Sequence, residues 1–217
     1  MKSRKNELVF SRFEDWEPYY LRILGDLGFD RAQDEEAARL LSTLLTRDDL
    51  TTLRRRIRGK AVTVCGNGPN LAEELDRIRG TVVIAADGAA NRLYAGGIRP
   101  AAIVTDLDGA TEAFAEMNRA GTVIVVHAHG DNRDLLRIWV PLFTGPVVGT
   151  TQAKPFGRIH NFGGFSDGDR AVFMALALGA AEVSLAGFFL DDPAVNPVKR
   201  RKLLWARTLL GLVGYEL

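Results

Sequence analysis

Ala101-Ala-Ile-Val-Thr-Asp-Leu-Asp-Gly109 is a short apolar run that ends in two carboxylates placed one residue apart. Bounded by Pro100 and Gly109, it suits a buried strand. Side chains alternate along a strand, so an extended reading puts Asp106 and Asp108 on the same side at its carboxyl end. Two like charges that close raise each other's pKa unless something neutralises them. A hard divalent cation such as Mg²⁺ would do so, since it takes one or two carboxylates plus substrate phosphates. A strand end followed by a turn is the competing account, because Asp and Gly are common there.

Working outward, the same strand–glycine–helix pattern recurs on both sides. Upstream, residues 61–65 read as a strand, then Gly66-Asn67-Gly68-Pro69 as a turn and 71–78 as a helix; residues 81–86 and 88–94 repeat the pair. After the central strand come a helix at 111–119, a strand at 122–126, a helix at 133–140 and a short strand near 146–148. A helix at 167–178, a strand at 182–186 and a helix at about 198–212 complete the series. Such alternation implies an α/β, doubly wound, mostly parallel sheet covered on both faces. It is expected over residues 59–217. Residues 1–58 read instead as an N-terminal helical region. Phe13, Trp16, Tyr20, Ile23, Leu24 and Leu27 recur at helical steps, a second helix begins near Asp34, and a third covers 48–57. The Arg54–Arg58 run reads as a charged helix end rather than a phosphate site.

In this class of sheet, ligands bind beyond the carboxyl ends of the strands. The first strand is followed by Gly66-Asn67-Gly68-Pro69, where glycines let backbone N–H groups approach an anion. A simple tight turn is the alternative. Asp87-Gly88 follows the second strand, Asp106 and Asp108 the third, and His127-Ala-His129-Gly-Asp131 the fourth; Asp167 opens a later helix. Asp87, Asp131 and Asp167 could each merely cap a helix. His127 and His129 could face one metal, but no further placed ligands accompany them. Met117 and Met174 read as packing residues.

At 217 residues, with 28 Lys+Arg against 27 Asp+Glu, the chain is nearly neutral and offers no global field for nucleic acid or an anionic membrane. Phosphate recognition is therefore expected to be local. Cys65 is the only cysteine, which excludes an intramolecular disulfide and a cysteine-based zinc cluster. The first residues lack a signal-peptide core, and no segment reaches membrane-spanning length, so a soluble cytoplasmic protein is expected. Sequence does not fix the oligomeric state, and a homo-oligomer is allowed.

Ala86-Asp-Gly-Ala-Ala-Asn91-Arg-Leu93 followed by Asp106-Leu-Asp108 resembles the thiamine pyrophosphokinase signature. Asp131-Asn-Arg-Asp134 and Gly163-Gly-Phe-Ser-Asp167 fall, in order, where that family has further acidic and glycine motifs. Gly109 replaces its Ser and Phe165 its Arg, and no segment reads as its C-terminal all-β domain. Over nearly the whole chain the closer likeness is to the archaeal-type 6-hydroxymethyl-7,8-dihydropterin pyrophosphokinases. It is carried by His127-Ala-His-Gly-Asp-Asn132, Thr150-Thr151-Gln152 and the run Asn161-Phe162-Gly-Gly-Phe165-Ser-Asp167-Gly-Asp-Arg170.

That resemblance implies Mg²⁺-dependent diphosphate transfer from ATP to a pterin hydroxymethyl group, with AMP released, in folate or methanopterin synthesis. On that reading Asp106, Asp108 and Asp131 hold the metal, while Gly66, Asn67, Gly68, Pro69, Asp87, Gly88 and Asn91 shape the nucleotide site. Lys199 and Lys202 would neutralise phosphate oxygens, or form a solvated basic face. The pterin is expected between Thr150-Thr151-Gln152 and Asn161–Phe165, with Phe162 or Phe165 as its apolar wall and Asn161, Gln152 or Thr151 on its polar edge. Asp167 would orient the hydroxymethyl group or accept its proton. A metal-dependent nucleotide-sugar glycosyltransferase and a non-catalytic nucleotide-binding module stay open beside it, because an Asp-x-Asp strand end suits either.

Overall fold

The structure, a computed structural model, describes residues 10–78 and 80–216. The amino-terminal stretch read as lacking a signal peptide lies outside the described residues. Among those described, seven strands form one sheet: β1 (Ala61–Cys65), β2 (Val82–Ala86), β3 (Ala102–Thr105), β4 (Val123–Ala128), β5 (Val147–Thr151), β6 (Ile159–His160) and β7 (Glu182–Ala186). Their spatial order is β6-β5-β4-β3-β2-β1-β7, and every pairing is parallel. No described helix is long and apolar enough to cross a membrane.

The strands are apolar at consecutive positions because both faces are covered. Val62 and Val64, Ile84, Ala102 and Val104, and Val123 and Val125 pack on one face; Cys65, Ala85, Ile103, Ile124 and Val126 pack on the other. Helices α2 (Arg31–Leu44), α4 (Ala89–Ala95), α5 (Glu112–Arg119) and α6 (Arg133–Trp139) share the second core through Leu41, Leu93, Phe114 and Leu136. Helices α3 (Leu50–Ile57), α7 (Asp167–Ala177) and α8 (Pro197–Leu212) share the first through Leu53, Val172 and Leu210. Helix α1 (Phe13–Leu27) builds a third cluster from Trp16, Tyr20 and Ile23 against Phe165, Phe173 and Leu209.

Topology follows from the handedness of parallel crossovers. Strands β1 to β6 step in one direction with their connections on one face. The chain then returns across the other face through α7 and sets β7 beside β1. Direction therefore reverses between β1 and β7, and a crevice opens there at the carboxyl ends.

The structure departs from the sequence expectations in four places. The segment after β1 is a 3-10 helix, Pro69–Ile78, rather than an α-helix. Helix α2 begins at Arg31 because the Asp30 side chain accepts from the Ala32 N–H at 2.9 Å. Strand β5 runs on to Thr151 and gains a neighbour, β6, whose two residues are too short for any periodicity to reveal. Gly149 permits that pairing, since a Cβ there would lie 2.6 Å from Leu45 Cδ1 and 2.8 Å from Ile159 Cδ1. Finally, β3 stops at Thr105, and buried Leu107 turns to φ 77°, so Asp106 and Asp108 do not continue one extended strand.

Candidate active site

The loops after β2 and β3 are laced together through one carboxylate. Asp87, itself at φ 42°, accepts from Thr105 Oγ1 at 2.6 Å and from the Gly109 N–H at 3.2 Å. Thr105 Oγ1 in turn accepts from the Leu107 N–H at 2.7 Å. Positive φ at Asp and at a buried Leu is uncommon, and such backbone is held only where its surroundings over-determine it. A Cβ at position 109 would collide with Asp87 Oδ2, so glycine here leaves room for that carboxylate.

Asp167 arrives from the opposite face of the sheet. Its helix is capped by others: Ser166 is the N-cap, and Asp169 accepts from the Phe165 N–H at 2.7 Å and the Ser166 N–H at 2.9 Å. Asp167 is thus released from capping. It lies beside Arg170, whose nearest nitrogen is 3.3 Å away and whose other terminal nitrogen donates to Phe165 O at 2.6 Å.

One ligand oxygen from each of Asp87, Asp106 and Asp167 falls within 4.8 Å of the others. All the donors are carboxylate oxygens, the set a hard divalent cation takes. Their titration reflects the crowding. Burial, then the charge of Asp106, raises the carboxyl pKa of both Asp167 and Asp108. Burial also raises Asp87, against the lowering effect of its Thr105 hydrogen bond, and Asp106 adds to the rise. Asp106 itself is held down: burial opposes its ionisation, but the hydrogen bond and charge of His129 bring it to about 2. His129 sits between Asp106 (Nε2–Oδ2, 3.3 Å) and Asp131 (Nδ1–Oδ1, 2.6 Å). Burial works against its protonation, yet the two carboxylates lift it to about 9.

A cleft of about 600 Å³ opens over this cluster. At the β1/β7 end it is bounded by Gly66, Asn67, Gly68 and Pro69 facing Gly187 and Phe188; in its middle lie Asp87, Gly88, Asp106, Asp108 and Asp167. At the β4/β5 end it meets His127, His129, Gln152, Phe165 and Arg170, and Lys199 and Lys202 stand at its α8 edge. Gly66 and Gly68 serve chain packing here: a Cβ on either would lie 2.7 or 2.5 Å from Gly187 O.

Other residues singled out in the sequence stand apart from this carboxylate trio. Asp108 and Asp131 stand outside the trio of carboxylates within ligating reach, because the Leu107 turn lifts Asp108 outward and Asp131 is committed to His129. Asn91 binds Gly109 O and accepts from Thr111 Oγ1, tying two loops. Asn161 spends its amide on Gln152 O, Ala153 O and the Gly163 N–H. Phe162 stacks on His160 and packs against the sheet core, and buried Thr151 accepts from the Ala153 N–H. None of these five residues, Asn91, Asp131, Thr151, Asn161 and Phe162, lines the cleft.

Sequence reasoning passed over Arg170, Phe29 and Asp34. Phe29 lies at the cleft mouth with its ring 6.4 Å from that of Phe165, and Lys202 Nζ stands 5.7 Å from its centre. Buried Asp34 accepts from Tyr20 Oη (2.7 Å), Gly130 N–H (2.8 Å) and Gln152 Nε2 (2.8 Å), and so holds α1, the loop after β4 and the end of β5 together. The "Asp-Glu-Glu" composition around it looks like a solvated helix face, which concealed this role.

A family model described as 6-hydroxymethylpterin diphosphokinase MptE-like matches residues 35–193. Proteins named 6-hydroxymethyl-7,8-dihydropterin pyrophosphokinase are similar over most of both chains. That of Methanothermobacter thermautotrophicus is 43% identical, covering 90% of this chain and 92% of its own. That of Pyrococcus furiosus is 42% identical (92% and 93%), and that of Methanocaldococcus jannaschii 35% (91% and 93%). Among solved structures, the MAf glycosyltransferase from Magnetospirillum magneticum AMB-1 aligns with 72% of this chain and 30% of its own, at 21% identity and a TM-score of 0.49, too low a likeness to bear on activity.

Proposed function

The chain belongs to the MptE-like 6-hydroxymethylpterin diphosphokinase family, and from that membership and the chemistry of the cleft we propose that it transfers diphosphate from ATP to the hydroxymethyl group of 6-hydroxymethyl-7,8-dihydropterin. The observation that carries this reading is the convergence of Asp87, Asp106 and Asp167 within 4.8 Å, over the sheet edge that also bears the Gly66–Gly68 crevice. In the reaction, the hydroxymethyl oxygen bonds to the β-phosphorus of ATP. The bond from that phosphorus to the oxygen bridging the α-phosphorus breaks, AMP leaves with the bridging oxygen, and the hydroxyl proton passes to a base.

Positioning and charge neutralisation supply most of the catalysis in such transfers. Asp87, Asp106 and Asp167 would hold Mg²⁺, which when bound offsets the charge of the triphosphate oxygens. The nucleotide lies towards the β1/β7 crevice, where Asn67 and Gly88 border it. Lys199 and Lys202 reach the triphosphate from α8 as mobile point charges. The pterin lies towards β4 and β5, with Phe165 and Phe29 as apolar walls. The oxygen of Asp167 not spent on the cation orients the hydroxymethyl group and takes its proton. The test is to incubate the protein with ATP, Mg²⁺ and the pterin: AMP forms only when all are present. ADP as the product, or AMP formation indifferent to the pterin, would refute the reading.

The metal assignment makes a separate prediction. Ligation needs ionised carboxylates, and the raised values at Asp87 and Asp167 mean that protons compete with the cation as pH falls. Mg²⁺ affinity of the protein without ATP should therefore fall as pH is lowered, by up to about tenfold per unit for each proton displaced. Calorimetric titration in buffers of different ionisation enthalpy should register the released protons. An affinity that does not change with pH, with no proton release, would place the cation elsewhere.

A further inference from the structure

His127 occupies the penultimate position of β4, paired in register with Thr150 of β5, and its side chain is 1% exposed. Thr150 Oγ1 donates its proton to Val126 O at 3.0 Å, so towards His127 Nδ1, 3.2 Å away, it can only accept. Nδ1 therefore carries the imidazole proton, and Nε2 presents a lone pair. Nε2 is buried, has no partner among the described residues, and belongs to a residue lining the cleft. A buried acceptor left unmatched is unfavourable, and a ligand donor would satisfy it. Protonation does not resolve the deficit, because burial first, and then the charges of Arg170 and His129, hold the imidazole neutral.

A second acceptor belongs to another residue of the same cleft. Gln152 Nε2 donates to Asp34 Oδ2, and because a carboxylate already accepting from Tyr20 and Gly130 needs a donor there, the amide orientation is fixed. Gln152 Oε1 is then left with no hydrogen-bond partner among the described residues, in a side chain that lines the same end of the cleft. Two acceptors, one in β4 and one just past the end of β5, do not suit phosphate, which carries acceptor oxygens of its own. They suit a flat heterocycle with adjacent N–H donors, seated against Phe165.

We propose that His127 Nε2, with Gln152 Oε1, recognises the 2-amino and N3–H donor edge of the pterin and so selects the acceptor substrate. This rests on the pterin reading above. It makes His127 a substrate-contacting residue whose removal affects the pterin and spares the nucleotide.

The test compares full-length wild type, His127→Asn and His127→Gln. Asparagine keeps an amide N–H for Thr150 but has nothing at the place of Nε2; glutamine reaches that place with a carbonyl oxygen. Expected for His127→Asn is a rise in pterin KM of roughly 10- to 100-fold, with kcat and calorimetric ATP affinity little changed, and recovery of most of the loss in His127→Gln. The analogue lacking the 2-amino group should be poorly used by wild type, while His127→Asn should no longer distinguish it from the full pterin. If His127→Asn does not fold, the wild type decides the question with the analogue: equal use of the analogue and the full pterin overturns the inference. An unchanged pterin KM, a loss of ATP affinity, or analogue discrimination surviving in His127→Asn would overturn the inference while the transferase reading stands. A wild type that forms no AMP with the pterin would instead sink the reading beneath it.

Discussion

Replacing Asp106 by asparagine should lower turnover by about 10³-fold and leave the fold intact, the scale seen when one preorganised electrostatic contact to a reacting centre is removed. The side chain keeps its shape, and its oxygen can still accept from the Asp108 N–H, now at 3.2 Å. What disappears is a charge that His129 holds ionised at neutral pH, at the centre of three other carboxylates. Two responses distinguish this from simple damage. Asp87, Asp108 and Asp167 each lose a like charge, so their carboxyl pKa values should fall towards the ordinary range, and cooperative melting should be retained. His129 loses one anionic partner, so its imidazole should titrate below the present value of about 9. Turnover within about tenfold of wild type, with unaltered Mg²⁺ dependence, would make Asp106 a structural residue.

The largest effect on stability should come from Arg170→Met. Arg170 is 4% exposed, and its guanidinium both donates to Phe165 O and faces Asp167. Methionine fills much of the volume but leaves a backbone carbonyl without its donor and the half-buried Asp167 carboxyl group without its positive neighbour. Breaking a buried pair in this way costs about 3–5 kcal/mol. In a chain of this size that corresponds to a fall in Tm of roughly 6–20 °C. Because Asp167 would lose an influence that lowers its pKa, the loss should be greatest at high pH, where its ionised form is left unpaired, and should shrink as pH falls and the carboxyl is protonated. The double variant with Asp167→Asn should recover part of the stability. A Tm for Arg170→Met within about 2 °C of wild type would mean that the pair contributes little.

The sheet was largely legible because its strands are local signals. Val123–Val126 is apolar at every position and Val62–Cys65 at all but Thr63, as strands covered on both faces are, and the first strand runs straight into Gly66. Asp87, Asp106 and the Gly66–Gly68 turn were legible for the same reason, since a strand end fixes its own chemistry. Less could be read where one residue's conformation decided the outcome. The left-handed turn at Leu107 separates Asp106 from Asp108, and no pattern of polarity announces it. Roles built from distant contacts were not legible at all. Asp34 meets Gln152 across 118 residues and Gly130 across 96, and the helical region it belongs to looks solvated in isolation. Asn161 and Phe162 lie within a run that resembles a substrate loop, but their side chains serve the loop's own backbone and the sheet core.

The most direct test of the account follows the label of ATP carrying ³²P at its β-phosphorus, incubated with the wild-type protein, Mg²⁺ and 6-hydroxymethyl-7,8-dihydropterin. The carboxylate cluster and the crevice beside it are read as a site for attack at that phosphorus. The label should therefore appear in the pterin product in step with unlabelled AMP, and Asp106→Asn should slow both by about 10³-fold. Label retained in ADP, or remaining in ATP while AMP and the pterin product fail to appear, would contradict the account.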